Sequence, residues 1–330
     1  MTISRRGLLA SAGALACALA SCSGTDARPS ASGTSEALTI GLTYIPNVQF
    51  SPFYVALERG YFWEAGLSVS LRHHGAQEDL FGALIGGTEQ IVIASSDEAM
   101  VAAANGTGLQ TFATMYQRYP VSVIVPAGSG VRALTDLAGK RVGLPGRYGS
   151  SYYGLLAGLA KAGMTEKDIT LVEIGYTGVS ALITSKVDAI VGFINNEPLQ
   201  FAAQGFPVTA IDVVDPDAPT LVGPGLITAK GALDAAILAK VTRAVLDAEK
   251  AIVANPAEAL DLSAKHVPDL ADASARASAE KVLAATSKLW LVDKTPSLAI
   301  DKRAFARMSD LLHSAGITPV KVDPASVIAG

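Results

Sequence analysis

The sequence predicts an α/β protein of two lobes, and three observations carry that expectation. Apolar β-branched runs alternate with helical stretches from Leu38 to Phe193; the alternation restarts after Leu137; and from Ala232 onward the chain is mostly amphipathic helix. Two such series and a helical tail imply two lobes with a cleft between them and mixed, mostly parallel sheets. A ligand would sit where strands end and loops gather. A length of 330 residues suits two domains of ordinary size. With 50% apolar residues, 17% charged, 31 glycines and 16 prolines, the chain is neither a disordered polymer, a collagen nor a coiled coil.

The beginning of the chain reads as an address. Arg5 and Arg6 precede a Leu- and Ala-rich stretch over 7–20, shorter than the roughly 20 apolar residues a bilayer span takes. It is therefore expected to be the apolar part of an export signal covering 1–21. Leu19-Ala20-Ser21-Cys22 resembles the bacterial lipobox, which implies lipidation of Cys22, and residues 4–9 resemble a twin-arginine signal. Residues 22–37 are rich in Ser, Gly, Thr, Pro and Ala and are read as a flexible tether.

The body then opens with a strand at 38–43 and a helix at 52–59 that stops near Gly60. A strand at 67–71, a helix at 80–85, a strand at 91–94 and a helix at 96–104 follow. Ser95 or Ser96 suits the N-cap ahead of Asp97 and Glu98, which read as first-turn helix charges. Strands come at 111–116 and 121–125. The second series runs strand 141–144, helix 151–162, strand 170–174, helix 179–186 and strand 189–193, and the tail holds helices at 241–254 and 273–289. Pro- and Gly-bearing stretches at 119–125 and 221–226 are read as crossings between lobes. They give one lobe of 38–122 and 223–330 and another of 123–222.

The formal charge of −4, with Lys and Arg scattered, argues against a nucleic-acid partner. Cys17 and Cys22 are the only cysteines, so the body cannot build a disulfide, zinc cage or iron–sulfur site from cysteine. P-loop, zincin and nucleophile-elbow motifs are absent, and Gly106-Thr107-Gly108 is a turn lacking the third glycine of a dinucleotide fingerprint. His73 and His74 are neighbours whose rings point to opposite sides of a strand, so they do not share a metal; one ring can face the cleft. His266 and His313 are read as solvated.

Three segments carry more chemistry. Tyr44 to Tyr54, after the first strand, gathers four aromatics with the amides of Asn47 and Gln49. Pro145 to Tyr152 is a Gly-containing strand-to-helix turn offering free N–H groups and hydroxyls. Gly192 to Pro198 ends a strand in Asn195, Asn196 and Glu197, with Pro198 suited to the first helical turn.

In that order, Tyr44-Ile45-Pro46-Asn47 with Phe53-Tyr54-Val55-Ala56, Gly60-Tyr61-Phe62, Leu137-Ala138-Gly139-Lys140, 145–153 and Asn196-Glu197-Pro198 resemble the ABC-importer substrate-binding lipoproteins. The branch is similar to the thiamine-pyrimidine-synthase-like proteins, which also include binders of nitrate, sulfonates and riboflavin. The resemblance implies a periplasmic-binding-protein type II clamshell that closes over one small ligand. It implies a monomer lipid-anchored at the extracytoplasmic face of the cell membrane, working with a permease and an ATPase and needing no cofactor. The ligand set it suggests is Tyr44, Asn47, Gln49, His74, Ser96, Gly146, Tyr148, Gly149, Ser150, Ser151, Tyr152, Asn196 and Glu197. Tyr44 stands where pyrimidine binders of the family carry a tryptophan. Interleaved rings and amides favour a heteroaromatic vitamin precursor, a thiamine pyrimidine ahead of riboflavin; an anion such as nitrate or a sulfonate would ask for convergent cations. Catalysis of the synthase kind, which uses a cysteine-rich iron site, is not expected of a body without cysteine.

Overall fold

The computed structural model describes residues 36–75, 78–215 and 218–329; Cys22, the export signal and most of the tether lie outside them. The first strand, β1 (Glu36–Leu42), starts inside the stretch read as tether, with Glu36 and Ala37 already paired to Leu67 and Ser68. It is followed by α1 (Ser51–Glu58), α2 (Tyr61–Glu64), β2 (Leu67–His73), α3 (Gly82–Ile85), β3 (Ile91–Ser95), α4 (Ser96–Ala104) and β4 (Leu109–Thr114). A second series holds β5 (Val121–Pro126), β6 (Arg141–Leu144), α5 (Gly149–Lys161), β7 (Thr170–Glu173), α6 (Gly178–Ile183), β8 (Ala189–Phe193), α7 (Glu197–Ala203) and β9 (Val208–Asp212). The chain returns through β10 (Pro224–Ala229) to α8 (Ala235–Ala254), α9 (Pro256–Ser263), α10 (Ala273–Leu289), a short hairpin of β11 (Leu291–Val292) and β12 (Thr295–Pro296), and α11 (Lys302–Ser314).

These strands form two five-stranded sheets, ordered β2-β1-β3-β10-β4 and β7-β6-β8-β5-β9. Each has two parallel and two antiparallel pairings, so antiparallel pairing has a larger share than strand–helix alternation suggests. The cause is connectivity. β10 arrives from the second sheet and inserts antiparallel between β3 and β4; β5 arrives from the first and inserts antiparallel between β8 and β9. Strand β9, preceded by Pro207 and only half-buried, carries too weak a pattern to read from sequence.

Local chemistry accounts for the helix positions. The Asp234 side chain accepts the N–H of Ile237 at the start of α8, whose buried Ile237, Leu238, Val241, Val245, Ala248 and Ile252 recur at helical spacing. That face, with α1, α9 and α10, covers the first sheet around Phe53, Tyr54, Phe62 and Trp290. Phe305, Met308 and Leu312 of α11 share a cluster with Val123, Val142 and Leu155, so the end of the tail adds to the core around the second sheet. Residues 327–329 line the edge of β4 through Thr111. No helix among the described residues is long and apolar enough to cross a membrane.

Candidate functional site

A cavity of about 350 Å³ opens at the C-terminal edge of the second sheet, a size within the range of small-molecule sites. Pro145 follows β6, the loop Ile174-Gly175-Tyr176-Thr177 follows β7, Gly178 and Ser180 lie on α6, Glu197 and Gln200 lie on α7, and Gln204 caps the end of α7. Tyr44, after β1 of the first sheet, completes the lining. Its ring meets Tyr176 edge-on, with centroids 4.8 Å apart and planes at 82°. No Lys, Arg or His is among the lining residues.

Glu197 is held by its own strand end. Phe193 N–H donates to one carboxylate oxygen at 2.8 Å, while the Asn196 amide reaches the other at a long 3.4 Å. Burial pushes the Glu197 carboxyl up from the ordinary carboxylate range. Burial, and then the charge of Glu197, pushes the Tyr44 hydroxyl up to about 12. Gln200 donates to the Asn196 side-chain oxygen at 3.0 Å, which leaves its own carbonyl oxygen for a ligand.

The Tyr44 loop is braced from beneath. His73 Nδ1 lies 2.8 Å from the Tyr44 carbonyl oxygen and its Nε2 lies 2.9 Å from the Tyr54 hydroxyl. The Asn47 side-chain oxygen accepts Gln49 N–H at 3.0 Å, which closes the turn after Tyr44. Asn47 and Gln49 therefore build the loop and are not among the cavity-lining residues.

Other expected ligands have found protein partners. His74, expected to face the cleft, is buried with Nε2 2.9 and 3.0 Å from the two oxygens of the fully buried Glu89, which also pairs with Arg72. Ser96 is buried, its N–H donating to Gly223 and its hydroxyl 3.4 Å from Thr111. The start of α5 is engaged by α4: Glu98 accepts Ser95 N–H at 2.8 Å and Ser150 N–H at 3.1 Å, and Asp97 accepts the hydroxyls of Tyr119 at 2.5 Å and Ser150 at 3.3 Å. Gly149, at φ 75°, brings its backbone so close that a Cβ would lie 2.8 Å from Glu98 Oε1. Ser151 is buried, the Tyr148 ring lies over Gly146, and the Tyr152 hydroxyl donates to Glu166 at 2.8 Å. Asn196 flanks Glu197 without lining the cavity. Of the expected set, the structure brings Tyr44 and Glu197 together.

Tyr176, Thr177, Ser180, Gln200 and Gln204 escaped the sequence reading. The run Gly175-Tyr176-Thr177-Gly178, an aromatic between two glycines at a strand end, was the available signal for the first two. The paired Gln200 and Gln204, one helical turn apart, were the signal for the third wall. His266 is not a free surface residue: it stacks on Tyr54 at 4.7 Å with planes at 3°, and its Nε2 lies 2.9 Å from Glu58. Among the described residues no three His, Cys, Asp or Glu side chains gather in a way that would hold a metal.

Residues 47–259 match the family model described as NMT1/THI5 like. The chain is 32% identical over 302 residues to a riboflavin-binding protein of Chloroflexus aurantiacus, covering 89% of this chain and 85% of that one. It is 26% identical over 230 residues to a formylaminopyrimidine-binding protein of Halalkalibacterium halodurans, 69% of each. The fold is that of the periplasmic binding proteins. The periplasmic aliphatic sulphonate binding protein of Escherichia coli superposes with a TM-score of 0.69 over 89% of this chain and 97% of its own, at 19% identity.

Proposed function

Because the chain belongs to the NMT1/THI5-like family, we propose that it is the extracytoplasmic substrate-binding component of an ABC importer and captures a neutral, flat heteroaromatic vitamin. The carrying observation is the cavity between Tyr44 and Tyr176, walled by amides, hydroxyls and the half-buried carboxylate of Glu197, with no cation in its lining. Two aromatic rings at the mouth offer faces and edges to a planar ligand. Glu197 Oε1 accepts a ring N–H or exocyclic amine, a charge-assisted bond in a dry site. An anion such as a sulfonate or nitrate finds no counter-charge there. The N-termini of α4 and α5, its natural alternative, are already engaged by Glu98.

Within this class we place riboflavin ahead of a thiamine pyrimidine. Thr177, Ser180, Gln200 and Gln204 form a hydrogen-bonding wall suited to a polyhydroxylated side chain, which a bare pyrimidine lacks. The similarity to a riboflavin-binding protein over most of the chain supports the same order. Lipidation at Cys22, a monomeric state, permease and ATPase partners, hinge closure between lobes of 38–122 with 223–330 and 123–222, and a purely binding role complete the reading. Thermal-shift measurements on the purified body against riboflavin, hydroxymethylpyrimidine, formylaminopyrimidine, taurine and nitrate test it. A ligand at a hundred times its Kd stabilises by about 2.7 kcal/mol. A shift with an anion and none with a heteroaromatic compound overturns the proposal.

A further inference from the structure

His73 lies outside the cavity lining and touches the site only through the loop that carries Tyr44. Its two nitrogens face different groups. The carbonyl of Tyr44 can only accept, so Nδ1 donates to it. With Nδ1 donating, the neutral ring has its lone pair on Nε2, which accepts the hydroxyl proton of Tyr54. Both requirements are met by one species, the neutral imidazole protonated on Nδ1. The Tyr54 side chain is fully buried and is sandwiched between His73 and the stacked ring of His266, so its hydroxyl proton has no water to turn to. Phe50 closes the remaining side, meeting the imidazole edge-on at 5.6 Å.

We propose that His73 is a positioning residue for ligand capture: its neutral form ties the loop that carries Tyr44 to the buried Tyr54 hydroxyl, and its protonation breaks the Tyr54 half of that tie and weakens binding. The role rests on the ligand reading given above. A second proton on His73 places an Nε2–H against the Tyr54 hydroxyl and takes away the acceptor of the Tyr54 proton. The Nδ1–H bond to the Tyr44 carbonyl persists, and the loop loses its tie to the buried Tyr54 hydroxyl. The titratable groups around the imidazole are Tyr54 and Glu58 of α1, Lys265 and His266 beyond α9, and His74 with Glu89 at the end of β2. Burial holds His73 below the ordinary histidine range against the upward pull of its bond to the Tyr44 carbonyl, and the neighbouring His266 and His74 add to the lowering. The neutral form therefore dominates at neutral pH and is lost on the acid side.

The test pairs riboflavin titration by calorimetry, from neutral to acid pH, with nitrogen-15 spectra of the histidines in the ligand-free full-length body. Wild type is expected to show Nδ1–H at neutral pH, with His73 and the amide signals of Tyr44 to Asn47 titrating together and affinity falling in the same interval. His73→Asn keeps a donor at the Nδ1 position and is expected to retain affinity within about threefold while losing its pH dependence. His73→Ala is expected to weaken binding about tenfold. Tyr54→Phe removes the proton that locks Nε2 and is expected to move the acid limb of the profile toward neutral pH. Circular dichroism confirms that each variant is folded. Binding by His73→Ala with the affinity and profile of wild type overturns the role, as does an Nε2–H tautomer. If wild type binds no heteroaromatic compound while His73 and the loop titrate together, the ligand reading falls and the bracing of Tyr44 stands.

Discussion

Glu197 and Tyr44 come from different sheets and meet across one cavity, which makes them the sharpest single-residue tests. Glu197→Gln keeps the contact with Phe193 N–H but forfeits the charge, so affinity for an amine- or N–H-bearing ligand falls by about 1.5–3 kcal/mol, ten- to a hundred-and-fifty-fold. Tyr44→Ala removes the ring that meets Tyr176 and costs a similar factor, whereas Tyr44→Trp retains it. Calorimetry on the three variants decides; values within twofold of wild type for both Glu197→Gln and Tyr44→Ala would falsify the placement of the site. Tyr44 and Glu197 were legible in the sequence because an aromatic and a carboxylate at strand ends are costly to bury without a purpose. His74, Ser150 and Tyr152 lie outside the cavity lining and are tied to protein partners, which the sequence did not announce for a complementary reason. Their partners Glu89, Asp97, Glu98 and Glu166 lie between 14 and 53 residues away in the chain, and no local pattern announces such pairings.

Among the elements, α4 and α8 each bury carboxylates. Burial raises the Asp97 and Glu98 carboxyls, and the charge of Asp97 raises Glu98 further. A carboxyl whose native pKa lies above its unfolded value, about 4, stabilises the fold fully below that value and loses this contribution as pH rises through the native one. The melting temperature is therefore expected to fall from mildly acid to alkaline pH, and Glu98→Gln to flatten that slope. A slope unchanged in the variant removes the assignment. Glu249 of α8 is fully buried, neither oxygen has a hydrogen-bond partner among the described residues, and burial raises its pKa in the same sense. Glu249→Leu is expected to stabilise by roughly 1–3 kcal/mol, seen as a higher urea midpoint at unchanged slope. A lower midpoint reveals a partner for the carboxylate. Helices were the legible part of the fold: α10 coincides with the stretch read from its periodicity. Strand direction was not legible, because β5 and β10 have the same apolar pattern whichever way they run.

For the whole molecule, Cys22→Ala is expected to release the protein from the membrane fraction, since each buried methylene of an attached lipid contributes about 0.8 kcal/mol. Retention after a high-salt wash contradicts lipidation. Ligand closure would act on the two crossings, which lie side by side: Tyr116 N–H donates to Pro224, and Gly223 packs against Pro120. Small-angle scattering should then register compaction on saturating ligand, and an unchanged radius argues for a rigid body. The insertion of β10 between β3 and β4 also imposes an order of assembly. All five strands of the second sheet lie between Val121 and Asp212, whereas the first sheet keeps a gap between β3 and β4 until Ala229 has been made. As the chain emerges from its N-terminus, the middle completes its sheet while β3 and β4 still present bare edges to their surroundings. The half made first is the half finished last. Until then those edges are open to pairing with any other chain.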